Sequence, residues 1–364
     1  MIKDIIIIVG TRPNFIKVTQ FKRIAANYLG INIKIVHTGQ HFDQKMADVF
    51  FEQFGLNPDY FLNIPHGSPN TQMAEIMLRL EQLIINTFRP DLMFVVGDVN
   101  STLAAALTAN KLGVKLAHLE SGLRSNDKTM PEEINRILTD SITDYFFVTE
   151  QSGYDNLIGE GKIKENVFFV GNTMIDTLVA FDDIIKKSDV LSRFELTAQQ
   201  YVLMTMHRPA TVDNQEGLIK LLNLIEIATK RYKLVFPVHP RTLKNFEKFN
   251  LLKRFKENKQ IITTEPLDYF SFQKLITDCK FILTDSGGIQ EESTFRKVPC
   301  ITLRPNTERP VTCESGTNTL LPFDFKLIEK TIEGIENGSN KKGEIPKFWD
   351  GKTTERILKI ISDL

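Results

Sequence analysis

At 364 residues, 42% hydrophobic and 25% charged, the chain is too long for one ordinary core and has the composition of a two-domain globular protein. Lys+Arg and Asp+Glu both number 45, so no global positive field exists to attract nucleic acid or an anionic membrane, and any anion must be held locally. Cys279, Cys300 and Cys313 lack metal-ligand spacing, and the first nine residues lack the basic start of a secretory leader; with no long apolar span, this predicts a soluble cytoplasmic protein with free thiols.

Short apolar runs bounded by turn residues predict strands over residues 5–9, 33–37, 92–96, 115–119, 145–148 and 167–170. Helical patterns lie among them at 101–112 and 132–139. After Gly171 a mixed helical and polar stretch to residue 196 predicts a linker. The rhythm then restarts, with strands at 201–206, 233–238, 261–263, 281–284 and 301–303 and helices at 216–229 and 267–278. Residues 337–347, rich in Gly, Ser and Lys, predict an exposed loop before a last helix at 353–364. Alternating β and α with nearly continuous apolar strands specifies an α/β fold of two doubly wound parallel sheets, covered on both faces.

In open parallel sheets ligands bind beyond the carboxyl ends of the strands. The unusual polar clusters of this sequence fall there in succession. Gly10-Thr11-Arg12-Pro13, Thr38-Gly39-Gln40-His41, Gly97-Asp98 and Glu120-Ser121-Gly122 follow strands of the first half. His207-Arg208, His239-Pro240-Arg241 and Asp285-Ser286-Gly287-Gly288 follow strands of the second. Polar carboxyl ends on two sheets predict a shared crevice.

The stretch from Asp285 to Glu292 reads as a strand–turn–helix junction. Gly287 and Gly288 let the backbone approach a ligand, and exposed amides at the helix start suit a diphosphate. Glu292, one turn on, suits ribose hydroxyls; the plain alternative is a βα loop capped by Asp285 and Ser286. Arg12 and Lys17 flank a second junction, which lacks the glycine pattern of a dinucleotide fingerprint or P-loop. Asp98, Glu120 and Glu132 are the candidate acid/base carboxylates, although Asp98 could cap the next helix and Glu132–Glu133 could serve the helix dipole. His207 and His239 end strands without zinc-site spacing, and His118, inside a strand, reads as structural. No Gly-x-Ser-x-Gly occurs, which disfavours covalent hydrolase chemistry.

Taken in order, these clusters resemble one family, together with Leu123-Arg124, Pro131 to Arg136, Gly171-Asn172-Thr173, Pro237-Val238-His239 and Thr307-Glu308-Arg309-Pro310. It is the bacterial non-hydrolysing UDP-N-acetylglucosamine 2-epimerases. The resemblance implies a GT-B-like fold with two Rossmann-like domains, residues 1–171 and 172–352, and a C-terminal helix, 353–364, crossing back to the first. It implies a homodimer that inverts C2 of UDP-GlcNAc to give UDP-ManNAc, through elimination of UDP to a 2-acetamidoglucal and re-addition. No metal or nicotinamide is required, because no overall change of oxidation state occurs.

The C2 proton is not adjacent to a carbonyl, so a carboxylate cannot remove it unaided. Departure of UDP builds oxocarbenium character that acidifies it, which couples leaving-group stabilisation to base catalysis. By match to the family, Asp98, Glu120 and Glu132 take the acid/base roles, and His207 assists at the diphosphate. Arg12, Lys17, Arg136, His239, Ser286, Gly287 and Gly288 bind the UDP-sugar, with Phe272 stacking on uracil and Glu292 on ribose. Gln40, His41 and Gln44 match a second, allosteric nucleotide-sugar site, but the loop 65–72 has no arginine to complete it. The chain also departs from the family at Pro209-Ala210, Asn14, Val311 and Ser121, which leaves room for a modified UDP-hexosamine such as a 2,3-diacetamido uronate or a 6-deoxy sugar. A hydrolysing epimerase, a GT-B glycosyltransferase and a catalytically silent UDP-sugar-binding regulator are the rival readings.

Overall fold

A computed structural model describes residues 3–40 and 51–364. The chain divides into two compact units, Met1–Ala180 with Lys347–Leu364, and Phe181–Pro346. The predicted residues His41 and Gln44 lie outside the described residues.

The first unit holds seven parallel strands: β1 (Lys3–Val9), β2 (Ile31–His37), β3 (Tyr60–Phe61), β4 (Leu92–Val96), β5 (Lys115–Leu119), β6 (Tyr145–Val148) and β7 (Val167–Phe169). Their order is β3-β2-β1-β4-β5-β6-β7. Ile5 to Ile8 are all buried, which accounts for an apolar run with no alternation: helices cover both faces. The two-residue β3, set on Val36 and His37, is too short to leave a period in the sequence.

The second unit repeats the plan with six strands, β8 (Tyr201–Thr205), β9 (Lys233–Pro237), β10 (Ile261–Thr264), β11 (Phe281–Thr284), β12 (Cys300–Leu303) and β13 (Asn318–Leu321), ordered β10-β9-β8-β11-β12-β13. Successive residues of β8 feed opposite layers of core: Val202 and Met204 enter one apolar cluster, Tyr201 and Leu203 the other. Strand β13 has no counterpart among the predicted strands. It opens on Asn318-Thr319, and its place follows from pairing with Cys300–Leu303.

Both strand orders reverse at the first strand, so β1 and β4 are neighbours in one sheet and β8 and β11 in the other. Crossovers leave in opposite directions there and open a gap at the carboxyl ends.

The first unit runs on past Gly171 to Ala180, and the chain returns to it at Lys347 rather than residue 353. The helix Thr173–Ala180 stays with the first unit because it is bonded there on two sides. Thr177 Oγ1 donates to Ile16 O (2.5 Å) and meets Thr19 Oγ1 (2.6 Å). Asp176 caps the returning helix Thr353–Asp363, accepting from Thr353 N (3.0 Å) and Thr354 N (2.6 Å). Just before that helix, buried Trp349 donates through Nε1 to Thr149 O (3.1 Å).

Candidate active site

In the first unit the site grows from the ends of β1, β4 and β5. Thr11 caps the helix Arg12–Val18, with Pro13 in its first turn, where the missing N–H costs nothing. Asn14 Oδ1 accepts from Gly10 N (3.1 Å), Thr11 N (3.2 Å) and Thr11 Oγ1 (3.1 Å), while Nδ2 donates to Val96 O (3.1 Å). One carboxamide thereby ties the end of β1 to the end of β4. A carboxylate at this position could not make the last bond, because it has no N–H.

Lys17 forms an ion pair with Glu120, and both side chains are buried. Gly97 sits against the pair: a Cβ there would lie 3.3 Å from Glu120 Oε2 and Asn14 Nδ2 and 3.4 Å from Lys17 Nζ, on a backbone with φ +68°. Only glycine holds that turn without strain. Glu120 itself has φ 71°, a left-handed conformation that costs a non-glycine residue about 1–2 kcal/mol. Strain of this kind persists where the surroundings over-determine it, as at functional sites.

Asp98, next to Gly97, keeps 28% of its side chain exposed and is gripped from behind by Arg136 Nη1 at 2.5 Å. Asn135 Nδ2 donates to the Asp98 carbonyl (2.9 Å). Arg136 is buried and also pairs with Glu133 Oε2 (2.8 Å), so its guanidinium is committed to two carboxylates. Glu133 accepts from Ser125 N and Asn126 N, both at 2.9 Å. Burial alone would raise the Glu133 pKa, but the Ser125 amide and Arg136 outweigh it and hold the group below its ordinary value. Its neighbour Glu132, on the helix Pro131–Ile142, is exposed. One helix therefore turns Glu133 inward as support and Glu132 outward.

Arg12 is half-buried at the first helical position. Gln40 is buried, with Oε1 accepting from Ser101 N (2.9 Å) and Ser101 Oγ (2.7 Å). The residue expected at a second nucleotide site thus occupies itself with an amide in the first turn of the helix Asn100–Leu112.

In the second unit β8 and β11 run side by side, Thr205 beside Thr284, so His207 and Asp285 meet just beyond their ends. Asp285 is fully buried. It accepts from His207 N (3.0 Å to Oδ2) and Arg208 N (2.9 Å), and its Oδ1 lies 2.9 Å from His207 Nδ1. Burial pushes its pKa up, but His207 and the two backbone amides pull it down further, so the net shift is downward. Asp285 thus fixes the imidazole by Nδ1 and leaves Nε2 for a ligand; 57% of the ring is exposed.

Ser286 caps the helix Gly287–Arg296. A Cβ on Gly287 would approach Glu308 Oε1 to 2.7 Å and Arg309 Nη1 to 3.0 Å, so the loop after β12 sits directly over the start of this helix. Arg309 pairs with Glu291 (3.0 Å) and Glu308 (2.6 Å), and Glu308 with Arg304 (2.9 Å). The Glu308 carboxyl, which burial would raise, is pushed down to about 2 by Arg309 and Arg304. Arg309, its charge shared by Glu291 and Glu308, thus stands beside a helix N-terminus of the kind that suits phosphate. The Thr307–Pro310 motif is visible in the sequence, but nothing in its spacing reveals that its loop folds back onto Gly287.

Gly288 lies in the first turn of that helix, and Glu292, one turn on, is buried. Phe272, on the helix Tyr269–Asp278, is half-buried against the apolar cluster around Leu275 and Ile289. His239 is exposed and caps the helix Pro240–Lys248, its Nδ1 accepting from Arg241 N (3.2 Å).

Among the described residues no helix is long and apolar enough to cross a membrane. A family model described as UDP-N-acetylglucosamine 2-epimerase matches residues 23–362. The UDP-N-acetylglucosamine 2-epimerase of Methanocaldococcus jannaschii is 42% identical over 365 residues, which cover 98% of each chain. The UDP-2,3-diacetamido-2,3-dideoxy-D-glucuronate 2-epimerase of Pseudomonas aeruginosa is 38% identical, with 99% of each chain covered. In structure, the M. jannaschii UDP-GlcNAc 2-epimerase in complex with UDP-GlcNAc and UDP superposes with a TM-score of 0.90, at 40% identity and 99% coverage of both chains. The GT-B-like architecture of paired Rossmann-like sheets is common to both.

Proposed function

The chain belongs to the UDP-N-acetylglucosamine 2-epimerase family, and on that basis we propose that it interconverts UDP-GlcNAc and UDP-ManNAc without hydrolysis. The observation that carries this reading is the pair Asp98 and Glu120: two carboxylates at the ends of neighbouring strands, each backed by a cation, Arg136 and Lys17.

The reaction needs a stabilised leaving group and a proton carrier on each face of C2. The second-unit cluster takes the leaving group. Ser286 and the amides of Gly287 and Gly288 hold the diphosphate, with Arg309, and with His207 held by Asp285. Arg12 and His239 add cationic or N–H donors, Glu292 takes the ribose, and Phe272 stacks on uracil. The first-unit cluster moves the proton. One carboxylate takes it from C2 as the C1–O bond breaks and the C1=C2 double bond of 2-acetamidoglucal forms. A carboxyl group on the other face returns a proton to C2 as UDP re-adds at C1. Asp98, Glu120 and Glu132 share these roles. Arg136 acts through Asp98, and Lys17 through Glu120. In this reading the enzyme works in the cytoplasm as a homodimer, and exposed Glu132 faces solvent until substrate arrives.

The test is NMR of UDP-GlcNAc incubated with the protein in deuterated water. UDP-ManNAc should form and deuterium enter C2 of the recovered nucleotide sugar. Free sugar without a nucleotide-bound epimer would indicate hydrolysis, and no exchange at all would sink the epimerase reading. A parallel incubation with a UDP-2,3-diacetamido uronate decides the sugar: faster exchange there would move the assignment to that substrate.

A further inference from the structure

Gln290, in the helix Gly287–Arg296, is completely buried and has no part in the roles above. A carbonyl oxygen can only accept, so the amide nitrogen of Gln290 is the atom that faces Ser286 O, 3.2 Å away. Its Oε1 then accepts from Thr307 Oγ1 (2.8 Å) and from Asn318 Nδ2 (3.0 Å) at the start of β13. Asn318, also buried, must present nitrogen to that oxygen, and its own Oδ1 accepts from Thr302 Oγ1 (2.7 Å). The network ends on Arg309. Arg309 N donates to Thr307 Oγ1 (3.1 Å), and Thr312 Oγ1 donates to Arg309 O (2.8 Å) while accepting from Asn318 Nδ2 (3.2 Å). Both backbone polar groups of Arg309 are thus held by hydroxyls that belong to the Gln290 network.

We propose that Gln290 is a positioning residue for the diphosphate: its amide ties the turn Ser286–Gly288 to the loop Thr307–Pro310 and so fixes the spacing between the helix start and the loop above it. One side chain serves both segments because it offers a donor to the first and an acceptor to the second. A carboxylate would set oxygen against the Ser286 carbonyl, and an apolar side chain would leave the buried Asn318 amide and the Thr307 hydroxyl without this acceptor. Glu291 adds a second link, to the Arg309 guanidinium at 3.0 Å. That ion pair holds the end of a long side chain, whereas Thr307 and Thr312 hold the backbone that carries it. The tolerance is small. A Cβ on Gly287 would already lie 2.7 Å from Glu308 Oε1, so a loop that slipped inward would crowd the first amides of the helix, and one that slipped outward would withdraw Arg309.

This role rests on the UDP-sugar reading of the second unit. Calorimetry of the whole protein with UDP, beside ligand-detected NMR with uridine, which lacks both phosphates, separates it from a general loss of packing. Gln290→Met keeps the reach of the side chain without its donor or acceptor, and Thr307→Val removes one hydroxyl. Each should weaken UDP binding about tenfold or more, while uridine affinity changes less than about threefold, because base and ribose are assigned to Phe272 and Glu292. Thr307→Ser keeps the hydroxyl and should bind UDP within about twofold of the wild type. Gln290→Met combined with Thr307→Val should be little weaker than Gln290→Met alone, since both break one tie. Unchanged UDP affinity in Gln290→Met, or equal losses for UDP and uridine, overturns the proposal. Should Gln290→Met fail to fold, Thr307→Val against Thr307→Ser decides: equal UDP affinities in that pair overturn it as well. UDP binding weakened as expected, with no C2 exchange in deuterated water, strikes the epimerase reading and leaves the role of Gln290 standing. A wild type that binds no UDP overturns both.

Discussion

Mild acid should destabilise the first unit through His37, and His37→Phe should remove that effect. His37 ends β2 with 3% of its surface exposed, ringed by Phe15, Phe51 and Phe61 at centroid distances of 5.2, 6.1 and 5.8 Å. Burial lowers its pKa from 6.5 to about 4, so the folded protein keeps the ring neutral where the unfolded chain would protonate it. A folded pKa below the unfolded one gives stability that is complete above pH 6.5 and is lost as the pH falls toward 4. Lowering the pH from 7 to 5 crosses about 1.5 units of that window, a loss of about 2 kcal/mol at roughly 1.4 kcal/mol per unit. Phenylalanine fills the same aromatic nest and has nothing to titrate. The assay is urea unfolding at pH 7 and pH 5, followed by the fluorescence of Trp349, the single tryptophan, which lies in the same unit as His37. Carboxylates contribute equally to both proteins and cancel in the comparison. Equal losses of stability in wild type and His37→Phe would refute the reasoning.

Two further predictions concern the site. Gly122 has φ +79°, and a Cβ there would lie 2.2 Å from Gly153 O, a backbone atom that cannot swing aside. Gly122→Ala should therefore cost about 3–4 kcal/mol, left-handed strain plus overpacking, against about 1–2 for Gly161→Ala, where φ is +80° and nothing lies within 4 Å. Equal unfolding midpoints for the two variants would show that the close approach to Gly153 is not real. Asp98→Asn and Glu120→Gln should each lower kcat by about 100-fold or more, in line with the loss of a general acid or base, while UDP binding by calorimetry changes by less than about threefold. A loss of UDP binding as large as the loss of kcat would assign these carboxylates to ligand binding instead.

The two-sheet plan can be read from the order of residues. Strands such as Ile5–Ile8 and Phe281–Thr284 are buried on both faces, so they stand out as unbroken apolar runs that no other arrangement would tolerate. Because ligands gather at the carboxyl ends of such strands, Gly97-Asp98, Glu120 and Asp285-Ser286 can be picked out by position alone. Local signals go no further than that. Which carboxylate lies exposed and which is buried as support depends on the rotation of one helix, Pro131–Ile142, which buries Glu133 and exposes Glu132 although the two are adjacent. Arg136 carries the signature of a ligand-binding cation, yet two carboxylates brought up by the fold already claim it. The partners Lys17–Glu120, His118–Asp140 and Asp140–Arg124, and the approach of Arg309 to Gly287, join residues 16–103 positions apart, or lie on a loop whose return no period announces. Such contacts are set when strands pair in the order β1-β4-β5 and β8-β11-β12, and sequence spacing carries no record of that order. The chemistry at the turns is thus legible in the residues that form them, while the buried charges behind it exist only once the strands have paired.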